Sequence, residues 1–161
     1  VHAAGSSQRG RAEETSDQVD SQLFDLNTRA AISLTKAVLP HMLTRGKGQI
    51  VVVSSMAAKV ATPGQATYAA AKSAVSSYHH SLHWEVCDRG VDVTVVYPGP
   101  LASGTEDKPR TVYGPDGPEY IASSNEKKRV TIDRMVELTL SATSYGLEEA
   151  WIARHPVLGV A

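Results

Sequence analysis

Apolar residues recur at Val19, Leu23, Leu26, Ala30, Leu34 and Val38, at spacings of three and four, which predicts an amphipathic helix from about Gln18. Pro40 and Gly46 bracket its predicted end. The pattern then changes to Ile50-Val51-Val52-Val53, an unbroken β-branched run that suits a strand buried on both faces of a parallel sheet. Pro63-Gly64 marks a turn. The alanine-rich residues 66–88 predict a second helix, with Gly90 as its terminator. VDVTVVYPG, residues 91–99, reads as a second strand broken by its proline. Helix, strand, helix, strand is the rhythm of an α/β domain with crossovers.

Either side of this block the pattern weakens. Residues 6–17 are polar and read as a loop, and residues 98–130, rich in Gly, Pro, Ser and charge, read as a long flexible one. Loops of that length inside a domain are often functional. Thr131 is a candidate cap for a third helix whose apolar face runs through Ile132, Met135, Val136, Thr139 and Leu140. EEAWIARHPVLGVA ends the chain with room for a short final strand.

Composition narrows the classes. The 161 residues suffice for one domain with a core; 42% are apolar, 20% are charged and the net charge is −1. No basic stripe points to nucleic acid, and the mixed run from Glu126 to Arg129 reads as a solvated face. The single cysteine, Cys87, excludes a disulfide framework or a cysteine-rich metal site within the chain, and it reads as an unreactive helix residue. No apolar run approaches the roughly 18 residues of a membrane span. The six histidines form no H-E-x-x-H, and His79 and His83, four apart, have no evident third ligand. Trp84 and Trp151 are expected to anchor packing.

Candidate chemistry begins at Tyr68 and Lys72, which share one face if their segment is helical. A phenol titrates near 10 and is a poor base at neutral pH, but a neighbouring ammonium favours the phenolate. Acid/base catalysis works best when the pKa nears the working pH. Alone, a Tyr/Lys pair is usually structural or exposed. Context adds weight: Ser54 and Ser55 end one predicted strand, Tyr97-Pro98-Gly99 end the next, and open α/β sheets take ligands beyond the carboxyl ends of their strands. Asn27, in an otherwise apolar helical stripe, is either a surface or packing residue or a buried amide that needs partners.

Taken together these residues resemble the classical short-chain dehydrogenase/reductase family. Ser55 precedes Tyr68 by 13 positions, Lys72 completes YAAAK, and Asn27 lies 28 positions before Ser55. Pro98-Gly99 stands where members contact the nicotinamide half of their cofactor, with Leu101 beside it and Ser103 where a cofactor-contacting threonine is common. KAVLPHML, IVVVSSMAAK, PGQATYAAAK, YPGP and EEAWIARHP resemble in particular the branch around dehydrogenase/reductase member 7. That branch implies NADP-preferring reduction of steroid, retinoid or quinone carbonyls, and a cytoplasmic or endoplasmic-reticulum, membrane-associated setting.

The resemblance implies a fold and a mechanism. The fold is α/β: the C-terminal two-thirds of a doubly wound, Rossmann-like parallel-sheet domain. Residues 1–161 would form one incomplete dinucleotide-binding and catalytic domain with a substrate loop at about 100–130. Tyr68 would exchange a proton with a carbonyl or alcohol oxygen that Ser55 orients. Lys72 would bind the nicotinamide ribose and favour the phenolate, and Asn27 would hold a relay water. Tyr68, Lys72, Pro98, Gly99, Leu101 and Ser103 would contact NADP or NAD. The helices containing Asn27 and Tyr68 would form a homo-oligomer interface.

The chain departs from the family in two places. His2-Ala3-Ala4-Gly5 stands where members carry Asn-Asn-Ala-Gly, and no G-x-G-x-x-G or T-G-x-x-x-G-x-G occurs. The expectation is therefore that the chain by itself binds dinucleotide poorly and is inactive. The second class of function is a non-catalytic structural or interaction subunit that keeps the helical surface.

Overall fold

The computed structural model describes residues 1–102, 110–121 and 129–153. In chain order its elements are strand β1 (Ser7–Gln8), helix α1 (Asp17–Phe24), a π-helical turn (Asp25–Arg29), α2 (Ala30–Arg45), β2 (Gly48–Val53), α3 (Ala66–Val86), β3 (Val91–Pro98), β4 (Arg110–Tyr113), β5 (Pro118–Ile121), α4 (Ile132–Ser144) and β6 (Glu149–Ile152). Short 3-10 turns follow β2 and α3.

The main sheet is parallel, in the order β2–β3–β6. Gly48 pairs with Val91 and Val53 with Val96; Val95 pairs with Glu149 and Pro98 with Ile152. On the free side of β2, His2 forms a parallel bridge, its N–H donating to Val51 O at 2.7 Å and its carbonyl accepting from Val53 N at 2.8 Å. Successive side chains of a strand point to opposite faces. Ile50, Val52, Val91 and Val93 pack with Ala31 of α2 and Val75, Leu82 and Val86 of α3. Val51, Val96 and Ile152 pack on the other face with Val130 and Met135 of α4. Helices thus cover both faces, which is the doubly wound arrangement and the reason the strands read as continuous apolar runs.

The first predicted helix needs correcting, and the cause is local. Helix starts at Asp17 behind the Ser16 cap, but the buried positions are Val19, Leu23, Asn27, Ala31 and Thr35, whereas Leu34 is 57% exposed and Val38 is also exposed. Strict four-residue spacing drifts around a 3.6-residue helix. The π turn at Asp25–Arg29, where Ala30 N–H reaches back to Asp25 O, absorbs the drift. It carries the polar pair Asn27 and Thr28 into the interior. Pro40 lies inside α2, which ends at Gly46 with φ 64°.

Other expectations shift as well. Part of the long loop is a hairpin: β4 and β5 pair antiparallel, and β4 pairs in parallel with β1 inside the segment read as a loop. The turn signal GPDG lay between TVY and PEYI, but strands this short leave little alternation to read. On α4, Met135 and Thr139 are buried, but Ile132, Val136 and Leu140 are exposed. Trp84 is no packing anchor, being 70% exposed near the end of α3. Trp151 does pack, its ring 5.7 Å from that of Tyr97, with Lys59 Nζ 4.6 Å from the Tyr97 centroid. Cys87 is exposed in the turn after α3. Among the described residues no helix is long and apolar enough to cross a membrane.

Two glycines at the amino ends of the strands make a paired test. Gly46 and Gly90 both adopt left-handed φ, 64° and 78°, but a Cβ at Gly46 meets nothing within 4 Å, whereas one at Gly90 would lie 2.2 Å from Gly46 O. Gly46→Ala is expected to cost about 1 kcal/mol, the ordinary left-handed penalty. Gly90→Ala is expected to cost upwards of about 3 kcal/mol, because backbone must also move. Urea unfolding of the two variants measures the difference.

Candidate functional site

The site is built at the carboxyl end of β2. Ser54, buried, donates its hydroxyl to Lys72 O at 3.0 Å and accepts from Ser76 Oγ at 2.8 Å, which staples the strand end to α3. Ser55 follows. Its Oγ accepts from Ala57 N at 3.1 Å and caps the 3-10 turn Met56–Ala58. A hydroxyl that accepts this way still has its own proton to donate.

α3 brings up the other groups. Tyr68 sits half-buried in its first turn, and its backbone N–H donates to Gln8 Oε1 at 3.1 Å. One turn on, Lys72 is 5% exposed and donates from Nζ to Val53 O at 3.0 Å, the last carbonyl of β2. That Nζ lies 6.0 Å from the Tyr68 ring centroid. Burial pulls the Lys72 ammonium down from 10.5 to about 8.

Asn27 stands behind the lysine and does not line the cavity. Its Oδ1 accepts from Ser6 N at 3.2 Å, and its Nδ2 donates to Ser6 O and Leu23 O, both at 3.0 Å. The amide therefore pins the segment just after Gly5. A Cβ on Gly5 would lie 2.6 Å from Asn27 Oδ1 and 3.1 Å from Lys72 Nζ. The neighbouring Thr28 donates to Ala71 O at 2.8 Å and ties the π turn to α3.

These groups open onto a cavity of about 520 Å³, whose lining includes Gly5, Ser55, Tyr68, Lys72, Pro98, Gly99 and Leu101. The structure thus brings together every predicted site residue except Asn27, one layer back, and Ser103, which lies outside the described residues. A hollow of about 560 Å³ at the amino ends of β2 and β3, between Arg45, Lys47, Gly90 and Asp92, contains none of these groups. Size alone does not mark the site; the presence of Ser55, Tyr68 and Lys72 in one lining does.

A nicotinamide and its ribose fit this lining. Gly5 and Gly99 bring bare backbone to the cavity wall, and a Cβ on Gly99 would already press on Met56 Sδ at 3.2 Å. Lys72 offers N–H donors. For a pyrophosphate the chain holds no glycine-rich loop. The residues therefore suit the nicotinamide end of a dinucleotide.

Several participants had little signal in the sequence. Ser76 follows Lys72 by four, a spacing that could have flagged it. Gly5 was visible only as the end of HAAG, and Gln8 carried no signal. His2 takes the first position of that motif; its Nε2 is buried with no hydrogen-bond partner among the described residues, and burial above all lowers its pKa. Buried His79 bonds Thr35 and Val75 O. No metal-ligand cluster occurs among the described residues.

Known proteins resemble this chain in sequence and fold. The family model for short chain dehydrogenases matches residues 1–112. Dehydrogenase/reductase SDR family member 7 from Mus musculus is 34% identical over 160 residues, covering 98% of this chain and 46% of that protein. ElxO with NADP bound superposes with a TM-score of 0.60 at 27% identity, over 62% of this chain and 41% of that one. The bulky-bulky ketone specific alcohol dehydrogenase from Comamonas testosteroni gives a TM-score of 0.76 over 99% of this chain and 54% of that one; at 23% identity it speaks for the fold alone. The chain spans about half the length of the curated relatives it matches. On these grounds it belongs to the short-chain dehydrogenase/reductase family.

Proposed function

We propose that this chain carries the acid/base and nicotinamide-end part of an NADP- or NAD-dependent oxidoreductase that interconverts a carbonyl and a secondary alcohol on a small molecule. The observation that carries the reading is the convergence of Ser55, Tyr68 and Lys72 on one cavity at the carboxyl ends of the strands. The cofactor reading is supported by a similar protein, ElxO, whose structure has NADP bound.

A nicotinamide held against Lys72, Pro98, Gly99 and Leu101 would supply the hydride for carbonyl reduction. Tyr68 gives its phenolic proton to the carbonyl oxygen, and Ser55 donates its free hydroxyl proton as a hydrogen bond to the same oxygen. The Lys72 ammonium favours the phenolate that remains and is placed to hold the ribose. Asn27 fixes residues 5 and 6 against that ammonium; with its amide engaged by Ser6 and Leu23, its part is to position that backbone and not to hold the relay water that the family resemblance implies. Oxidation runs the same transfers backward. Leu34 and Val38 on α2 and Trp84 on α3 stay uncovered, which supports a homo-oligomer built on these helices.

Carried in a protein that supplies a glycine-rich cofactor segment, Tyr68→Phe is expected to leave the melting temperature and NADPH or NADH binding, read by nicotinamide fluorescence, nearly unchanged. Carbonyl reduction is expected to fall by about 100-fold or more. Full turnover in the variant sinks the mechanism.

Lys72 also gives a pH dependence. Its folded pKa of about 8 lies below the free value of 10.5, so between these pH values the unfolded chain holds a proton that the folded one has lost. Stability therefore rises with pH across this window. The lysine's contribution is expected to grow by about 2 kcal/mol from pH 7 to pH 10. Denaturant midpoints of the parent, compared with Lys72→Met at each pH, isolate it; a constant difference contradicts the burial argument.

A further inference from the structure

The first N–H groups of a helix have no partner within it, and the N-cap side chain commonly supplies one. α3 is an exception. Its N-cap residue, Gln65, makes no capping bond; its Nε2 donates instead to Ser7 Oγ at 2.9 Å and Gln8 O at 3.4 Å. The N–H of Tyr68, third in the helix, is taken by Gln8 Oε1, 60 positions upstream. Gln8 is fully buried, and the other end of its amide donates to Thr15 Oγ1 at 3.2 Å. Thr15 Oγ1 in turn donates to Arg11 O at 2.8 Å. Both ends of the carboxamide are engaged, so its orientation is determined.

Gln8 also belongs to β1, which pairs with β4 through Ser7↔Val112 and Gln8↔Tyr113, and Arg9 N–H extends the pairing to Tyr113 O at 2.7 Å. Nearby, Gly10 N–H donates to Gly64 O at 3.2 Å, in the turn before α3. One residue thus joins the hairpin, through its strand backbone, to the turn that carries the tyrosine, through its side chain.

We propose that Gln8 is a positioning residue for Tyr68: it caps the first turn of α3 in trans and fastens that turn to the β4–β5 hairpin. This rests on reading Tyr68 as the acid/base group. A displacement of about 1 Å at such a group is enough to cost rate, which is why its backbone needs a fixed anchor.

The test is amide hydrogen exchange by NMR on two variants. Gln8→Met fills a similar volume without an acceptor; Gln8→Glu restores one. In Gln8→Met the Tyr68 amide is expected to exchange about tenfold faster while Val93 and Val95 in β3 keep their rates. In Gln8→Glu protection is expected to return, and the Tyr68 amide proton to move downfield as the new carboxylate ionises. Unchanged Tyr68 exchange in Gln8→Met overturns the proposal, and so does an equal loss at Tyr68 and β3, which marks general destabilisation. Should Gln8→Met fail to fold, Gln8→Glu decides: a Tyr68 amide that ignores the carboxylate's titration is not bonded to it. These readouts need no turnover, so their failure is distinct from the survival of activity in Tyr68→Phe.

Discussion

An ammonium held almost entirely out of water is the constraint around which this site is arranged. Charge on Lys72 is costly where it sits, and burial alone draws its pKa down to about 8. Its surroundings offer compensation at close range. Val53 O accepts from it at the end of the strand, and Gly5, lacking a side chain, lets backbone approach. Asn27 uses its Oδ1 and one Nδ2 proton to keep that backbone in place, and Ser54, which accepts from Ser76, donates to the lysine's own carbonyl.

Much of the framework was legible because its causes are local. The IVVV and VDVTVVYP runs are strands buried on both faces, and the Ala-rich stretch closed by Gly90 is α3. The site was legible through Ser55, Tyr68 and Lys72, whose spacing places them at one end of one sheet. Features that depend on remote partners were not. The stripe through Leu34 and Val38 was misread because a π turn takes up an extra residue, a phase shift that no periodic template contains. Trp84 looked like core by residue type, yet nothing in the described structure covers it. Gln8 carried no signal because its partner lies 60 positions away.

The division of labour within the fold follows from the same geometry. The carboxyl ends of β2 and β3 bring hydroxyls, an ammonium and bare glycine backbone to one wall, which suits a flat ring and a sugar. Recognition of a pyrophosphate needs a cluster of backbone N–H groups at a helix start, and no sequence of that kind occurs in these residues. Relatives sharing this segment extend to roughly twice its length.

The pairing of β1 with β4 has a kinetic side. It joins segments more than a hundred positions apart, whereas β2, α3 and β3 are consecutive. Closing a long loop is entropically slow to be rewarded, so near-neighbour units condense first. The sheet and its helices can therefore assemble while β1 and β4 are still apart, and the hairpin docks onto a framework that already exists.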